Sequence, residues 1–406
     1  MNEVGAEKEE RAIVSESHFV KVGVLAETRQ GERRVALVPD VAARLITSGF
    51  EVAVEAGAGE QASFTDDAYR KVGAVVEANR QVLLGTADVI LSVQPPLLED
   101  VVLIQAGAVT ISFLQPTTQR AVIEEFAARG VTAFSLELLP RTSRAQSMDA
   151  LSSQSSLAGY KAVLMAANRL GKFFPMLMTA AGTIPPARVL VLGAGVAGLQ
   201  AIATARRLGA VVEAYDVRPA VQEEVQSLGA KFLALALDTQ EGEGGYAREQ
   251  GEEFLSRQRE GLTEYVAAND VVITTASVPG RRAPVLLTAS MVGGMRRGSV
   301  IIDLAAESGG NCELTQPGQV VEVDGIWIDG TINIPSSMAL HASQLYARNV
   351  TNLLHLLGNP GELSLNFEDE IIKGCCVTHA GQIVSERARQ LMGITAAQKA
   401  VRQEVR

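Results

Sequence analysis

Between Phe19 and Ser135, short aliphatic runs alternate with longer stretches in which apolar positions recur every three or four residues. The runs at Val20–Leu25, Glu51–Glu55, Val89–Ser92, Val109–Phe113 and Thr132–Ser135 have the length of buried strands. Asp40–Ser48 and Gln119–Arg129 carry the helical period. Short apolar strands separated by helices predict an open α/β sheet with helices packed on it. No glycine-rich turn occurs in this half. It therefore has the form of a nucleotide-binding fold without a phosphate turn.

Residues 141–160, RTSRAQSMDALSSQSSLAGY, break the rhythm with Ser, Gln, Arg and Asp. A polar segment at the junction of two α/β units is a common place for function. A helix predicted over Ser153–Leu170 leads into a second unit. Its strands are Arg188–Leu192, Val211–Tyr215, Lys231–Leu235, Val271–Thr275 and Val300–Leu304, with helices at Ala197–Leu208 and Ala220–Leu228. A long helix over Leu340–Leu357 would cross back to the first unit, and residues 363–406 read as a short strand-rich tail with a charged end. The expected architecture is α/β, with two Rossmann-like doubly wound parallel-sheet domains joined by long crossing helices. Residues 1–18 would be a flexible lead-in. The first domain would be discontinuous, 19–151 plus 341–406, and the nucleotide domain would span 152–340.

A length of 406 residues exceeds the usual limit for one core, in keeping with two domains. Aromatic residues make up only 4% of the chain, so both cores must be aliphatic. The net charge of −10 counts against nucleic acid as a partner, because phosphate neutralisation needs clustered Lys and Arg. Cys375 and Cys376 are adjacent and Cys312 stands alone, which suits neither a disulfide framework nor metal-ligand spacing, so no metal is expected. No uncharged run reaches the roughly 20 residues of a membrane helix. The longest apolar stretch, around 162–185, is broken by Arg169, Lys172 and Pro175. The first 18 residues are polar and acidic, unlike a signal peptide, so the expectation is a soluble cytoplasmic protein.

The chemistry concentrates at Gly193-Ala194-Gly195-Val196-Ala197-Gly198. The apolar run Val189–Leu192 feeds the first glycine, which permits the tight turn. Gly195 lets the backbone approach a pyrophosphate, and Gly198 lets the helix pack closely on the strand. Asp216 follows at the end of the next strand, where a carboxylate reads the adenosine ribose hydroxyls and repels a 2′-phosphate. NAD(H) is the predicted cofactor, held also by Val196, Ala197 and Val217. Arg218 tempers that choice, since a nearby arginine can accommodate a 2′-phosphate, but Asp216 stands ahead of it.

Dehydrogenases acting on alcohols or amines need a proton acceptor beside the hydride. The four histidines, His18, His341, His355 and His379, fall in the lead-in, on the late helix and in the tail, away from the nucleotide strand ends. Transfer between two nicotinamides needs no acid or base, only reacting carbons held about 3–3.5 Å apart.

The segments RTSRAQSMDALSSQSSLAGYKAV, TAAGTIPPARVLVLGAGVAGLQAIATARRLGA, GGYA, TTASVPGRRAPVL and GSVIIDLAAESGGN occur in order. Together they closely resemble the NAD(H)-binding soluble component of proton-translocating nicotinamide nucleotide transhydrogenase, from about Val20 to about Thr378. The same fold is shared with alanine dehydrogenase and, more distantly, with lysine-forming saccharopine dehydrogenases. Alanine dehydrogenases carry a substrate-binding Lys in a V-K-E-P motif and a catalytic His in an F-L-H-type motif. The matching stretches here read Val93-Gln94-Pro95-Pro96 and Phe113-Leu114-Gln115, and Glu307 stands about where that family keeps an active-site Asp. Glutamine cannot titrate, which counts against the alternative of an alanine dehydrogenase-like amino-acid dehydrogenase. A non-catalytic NAD-sensing regulator is a third reading.

The transhydrogenase resemblance implies specific roles. Arg141 would contact the pyrophosphate or nicotinamide ribose side, and Asp149 and Ser152 would hold the carboxamide. Gln146 would reach to NADP(H) on a partner subunit. Tyr246 would belong to a mobile loop closing on NAD(H), and Ala276, Val278 and Pro279 would line the cleft. The implied activity is Re/Si-specific, proton-translocating NAD(P)+ transhydrogenation. The chain ends at Arg406 without membrane helices, which resembles the split arrangement, with separate NADP(H)-binding and membrane-spanning subunits. A homodimer, peripheral at the inner face of the cytoplasmic membrane through those subunits, is the expected assembly.

Overall fold

The computed structural model describes residues 19–235, 251–277 and 280–394. The lead-in 1–18, Tyr246, Val278 and Pro279 lie outside the described residues. Two sheets organise the chain. In the first, six parallel strands run in the order Val75–Glu77, Glu51–Glu55, Lys21–Val24, Val89–Leu91, Val109–Ser112, Thr132–Ser135. Cys376–His379 then adds antiparallel to Thr132–Ser135, and Gln382–Ile383 completes the edge. The tail thus returns to the first sheet.

The second sheet runs Lys231–Phe232, Val211–Tyr215, Arg188–Leu192, Val271–Thr274, Val300–Asp303, Ile326–Asp329, with Val320–Val323 antiparallel at the edge. In both sheets the chain order reverses beside the first strand, giving two Rossmann-like windings. The reversal in the second sheet falls between Arg188–Leu192 and Val271–Thr274, where ligands bind in folds of this kind. Val109–Ser112, Thr132–Ser135, Val271–Thr274 and Val300–Asp303 are buried throughout, as strands covered on both faces must be.

Two long helices, Ala150–Arg169 and Ala339–Leu357, join the units and are tied to each other. Ser153 Oγ donates to Asn349 Oδ1 at 2.8 Å, and Gln154 Nε2 donates to the Ala342 carbonyl at 3.1 Å. The first helix starts three residues before the predicted Ser153. Asp149 caps it by accepting from the Ser152 N–H at 2.8 Å, which satisfies a free amide of the first turn. Farther along, Gly159 abuts the nucleotide-turn helix so closely that a Cβ would lie 2.0 Å from the Ala197 carbonyl oxygen.

Three predicted elements differ. The segment expected as a helix over Ala220–Leu228 is a 3-10 turn at Pro219–Val221 followed by the helix Gln222–Ser227; Pro219 fixes φ and starts the turn one residue early. The strand expected over Lys231–Leu235 is only Lys231–Phe232. The segments at 177–184 and 358–363 form the hairpins Leu177–Thr179/Gly182–Ile184 and Gly358–Asn359/Glu362–Leu363, which the apolar pattern does not signal. Among the described residues no helix is long and apolar enough to cross a membrane.

Candidate functional site

Strand Arg188–Leu192 delivers the chain to Gly193, whose φ of 101° lies in the region that favours glycine. A Cβ at Gly193 would lie 2.4 Å from Thr275 Oγ1, which donates to the Gly193 carbonyl at 3.0 Å. At Gly198 a Cβ would lie 1.9 Å from the Gly193 carbonyl oxygen. At Gly195 it would meet nothing within 4 Å. Two glycines are thus demanded by packing. The third keeps a space clear in front of the helix Val196–Arg207, whose first N–H groups and positive dipole end face that space.

A cleft of about 960 Å³ opens there. Gly193, Gly195, Val196, Ala197, Asp216, Val217, Arg218 and Ala276 line it, and Arg141 and Ser152 line it from the junction segment. Gly198 packs beneath it. Asp149 and Gln146 do not line it: Asp149 Oδ2 accepts from Ser152 Oγ at 2.6 Å, so the two predicted carboxamide holders are bonded to each other. Gln146 is exposed on the short 3-10 helix Ser143–Met148. That segment is pinned on both sides of Gln146. Arg144 pairs with Asp369, and the Ser147 carbonyl accepts from Asn349 Nδ2 and Asn352 Nδ2 at 2.9 Å each.

Sequence reasoning missed the residues that hold the far wall. Asp303 is fully buried and its Oδ1 accepts from Thr274 Oγ1 and the Ala305 N–H. Its Oδ2 accepts from Thr315 Oγ1 and from the N–H groups of Asn311 and Cys312. Asn311, so fixed, donates Nδ2 to the carbonyls of Ala276 and Pro284 at 2.8 Å each and accepts the Ala276 N–H at 3.0 Å. Tyr215 ends the second strand, and burial, against the Gln258 hydrogen bond, pushes its phenol up to about 12.

A second, more polar cavity of about 420 Å³ adjoins the cleft, sharing Glu137, Leu151 and Ser155. Gln94 and Gln115 both line it, and a chain of hydrogen bonds runs through them. Gln115 Nε2 donates to Gln94 Oε1 at 2.7 Å, Gln94 Nε2 to Glu32 Oε2 at 2.8 Å, and Arg34 forks onto both Glu32 oxygens at 2.8 and 2.6 Å. Burial alone would raise the Glu32 carboxyl, but the bonds and charge of Arg34 outweigh it and hold it at about 2. Glu137 is raised by burial, against donation from Ser135 Oγ and the N–H groups of Gln115 and Leu114. Glu307 lines this cavity and accepts the Asn333 N–H. The histidines stand apart. His379 does end a strand, but its Nδ1 meets Thr132 Oγ1 at 3.0 Å and its ring lies on Phe367. His355 lies edge-on to Phe50.

Two doubly wound units with a glycine turn at the reversal point of the second define a two-domain, dinucleotide-cleft α/β protein. The chain belongs to the alanine dehydrogenase/PNT family: residues 23–158 match its N-terminal domain and 162–386 its C-terminal domain. Within the family it is a transhydrogenase component. It is 51% identical over 375 residues to the first of the split NAD(P) transhydrogenase alpha subunits of Rhodospirillum rubrum, covering 90% of this chain and 98% of that one. To the NAD(P) transhydrogenase subunit alpha of Cereibacter sphaeroides it is 44% identical over 370 residues, covering 90% of this chain and 71% of that one. The crystal structure of transhydrogenase from Sinorhizobium meliloti superposes with a TM-score of 0.82 at 46% identity, covering 90% of this chain and all of that one. An L-alanine dehydrogenase superposes at 0.77 and 27% identity, with 92% and 99% covered.

Proposed function

We propose that this chain is the NAD(H)-binding subunit of a proton-translocating transhydrogenase and presents its nucleotide to NADP(H) held on a partner subunit. A membrane-spanning partner would couple the transfer to proton movement. The observation that carries the reading is the amide pair Gln94–Gln115, which fills the second cavity's hydrogen-bonding capacity with groups that carry no transferable proton.

The cleft fits a dinucleotide. Its glycine turn leaves room at Gly195, a helix N-terminus faces that room, and Asp216 stands at the end of the neighbouring strand. When bound, the nicotinamide supplies the hydride. The chain's own residues bind and orient: the turn takes the pyrophosphate, Asp216 the adenosine ribose, and Arg141 the nicotinamide ribose side. Ser152, cleft-lining and bonded to Asp149, offers a hydroxyl to the carboxamide, and Ala276 with Pro279 borders the ring or adenine. Tyr246 would belong to a loop that closes over the nucleotide. Gln146, exposed between two pinned neighbours, faces outward where a second nucleotide would dock.

The test mixes this chain with an NADP(H)-binding transhydrogenase subunit and follows transfer with a nicotinamide analogue that absorbs at its own wavelength. Transfer should appear, and Gln146→Ala should lower its rate at least about tenfold with NADH affinity little changed, because a positioning contact is lost. No transfer, with each component still binding its own nucleotide, overturns the assignment. Alanine-dependent NAD reduction by the chain alone would favour the amino-acid dehydrogenase reading instead.

A further inference from the structure

Asp216 carries more donors than a bare ribose-reading acid should. A carboxylate offers about four acceptor positions. Here Oδ1 accepts from the Arg218 N–H and from Arg218 Nε, both at 2.9 Å. Oδ2 accepts from the Ala194 N–H at 2.7 Å and from Arg218 Nη2 at 2.9 Å. All four positions are filled. The two backbone donors belong to the turn and must stay; they hold the carboxylate where the ribose arrives. The two guanidinium donors sit on a side chain that can swing away, and their number equals that of the ribose hydroxyls.

We propose that Arg218 sets how strictly this site reads the adenosine 2′ position, by occupying the acceptors of Asp216 until a ribose displaces it. The inference rests on the NAD(H)-binding reading above. Ribose binding then exchanges two charge-assisted guanidinium bonds for two hydroxyl bonds, which weakens NAD(H) binding relative to an unlatched carboxylate. The displaced guanidinium cannot go far. Its Cα is two residues from Asp216 and its side chain already lines the cleft, one-fifth exposed. Beside the ribose edge it offsets the carboxylate charge that would otherwise repel a phosphate of charge near −2. Arg218 therefore lowers the penalty on NADP(H) while taxing NAD(H), and the two effects narrow the discrimination from both sides.

The full chain and its variants are titrated with NADH and NADPH, following nucleotide fluorescence, with thermal unfolding recorded for each. Arg218→Ala should bind NADH at least as tightly as the parent and raise the NADPH-to-NADH dissociation-constant ratio about tenfold. Arg218→Lys, which keeps the charge and loses the fork, should stay within about threefold of the parental ratio. Asp216→Asn should lower the ratio, and adding Arg218→Ala to it should remove that gain in NADPH binding, a coupling that a merely structural arginine would not show. Weaker NADH binding by Arg218→Ala at an unchanged ratio overturns the inference and makes Arg218 a support for Asp216. If the parent binds NADH but the ratios do not move, this inference alone falls. If the parent binds neither nucleotide, the proposed function falls with it.

Discussion

Asn311 has no exposed surface, yet one amide serves three backbone groups of the segment lining the cleft. Asn311→Ala strands the Ala276 N–H and the carbonyls of Ala276 and Pro284. At about 1 kcal/mol for each bond, more where the orphan stays dry, the loss comes to about 2–4 kcal/mol of stability. Asn311→Asp is the sharper test because it conserves shape. One oxygen keeps the Ala276 N–H, but the other faces two carbonyl oxygens where the amide nitrogen stood at 2.8 Å. The new charge also lies beside Asp303, whose Oδ2 holds the residue's own N–H at 2.8 Å. An unpaired buried charge costs more than an empty site, so Asn311→Asp should be the less stable of the two near pH 8. Burial and Asp303 both favour its neutral form, so the introduced carboxyl binds its proton more tightly folded than unfolded. Its stability deficit should therefore shrink as pH falls toward 5, when one donor is restored. Urea unfolding of both variants at pH 5 and pH 8 measures this, and NADH titration should show weakened binding in each. An aspartate variant as stable as the parent at pH 8, or one indifferent to pH where the alanine variant is too, refutes the clamp.

Two further outcomes follow from the glycine turn and from a buried acid. Gly198→Ala, with its Cβ 1.9 Å from a backbone oxygen, should cost about 2–3 kcal/mol in urea unfolding. Gly195→Ala, with open space around its Cβ, should leave stability nearly unchanged but weaken NADH binding at least about tenfold, because the methyl enters the space kept for phosphate; the reverse pattern would break the assignment of roles. Glu27 is raised to about 8 by burial, against the Val93 N–H and with help from the charge of Glu32. Its folded state holds a proton that the unfolded state releases near pH 4.5. The associated stability is full below that pH and is lost as pH rises through about 8, at up to about 1.4 kcal/mol per pH unit. Glu27→Gln should flatten this decline between pH 5 and 8, as read from urea midpoints; an unaltered slope assigns the decline to another group.

What is legible in the chain is what short-range rules determine. The strand runs and the glycine turn appear where backbone conformation and apolar continuity dictate, so Arg188–Leu192, Gly193 and Asp216 can be read from spacing alone. The early start of the Ala150–Arg169 helix has a local signal too, an Asp three residues before a Ser, which suits a cap as well as it suits a ligand-binding pair. The Asp303–Asn311 clamp has none. Its donors come from Thr274, Ala305, Asn311, Cys312 and Thr315, spread over three loops and a strand, and only the closed sheet brings them to one carboxylate. Gly159 is equally silent, because the surface that demands it, the Ala197 carbonyl, belongs to another helix.

The two cavities share a wall, and that wall locates the difference between chemistries on one scaffold. Glu137, Leu151 and Ser155 face both spaces, so a small substrate in the polar cavity would lie beside whatever occupies the cleft. A cavity of that kind supports amine or alcohol oxidation only if a group in it can take a proton. Its two glutamines instead pass hydrogen bonds one way, from Gln115 to Gln94 to Glu32, and Arg34 keeps Glu32 ionised. Glu137 is the protonatable group left at the wall, and its Oε2 already accepts three donors at 2.8–2.9 Å, which fixes it as an anchor for the Leu114–Gln115 backbone. An alternative acceptor for the hydride must then come from outside the chain, past the exposed Gln146 rather than through the locked cavity. Replacing the two glutamines would unlock that cavity without touching the glycine turn, so binding of NAD(H) and the choice of acceptor are separable properties of this fold.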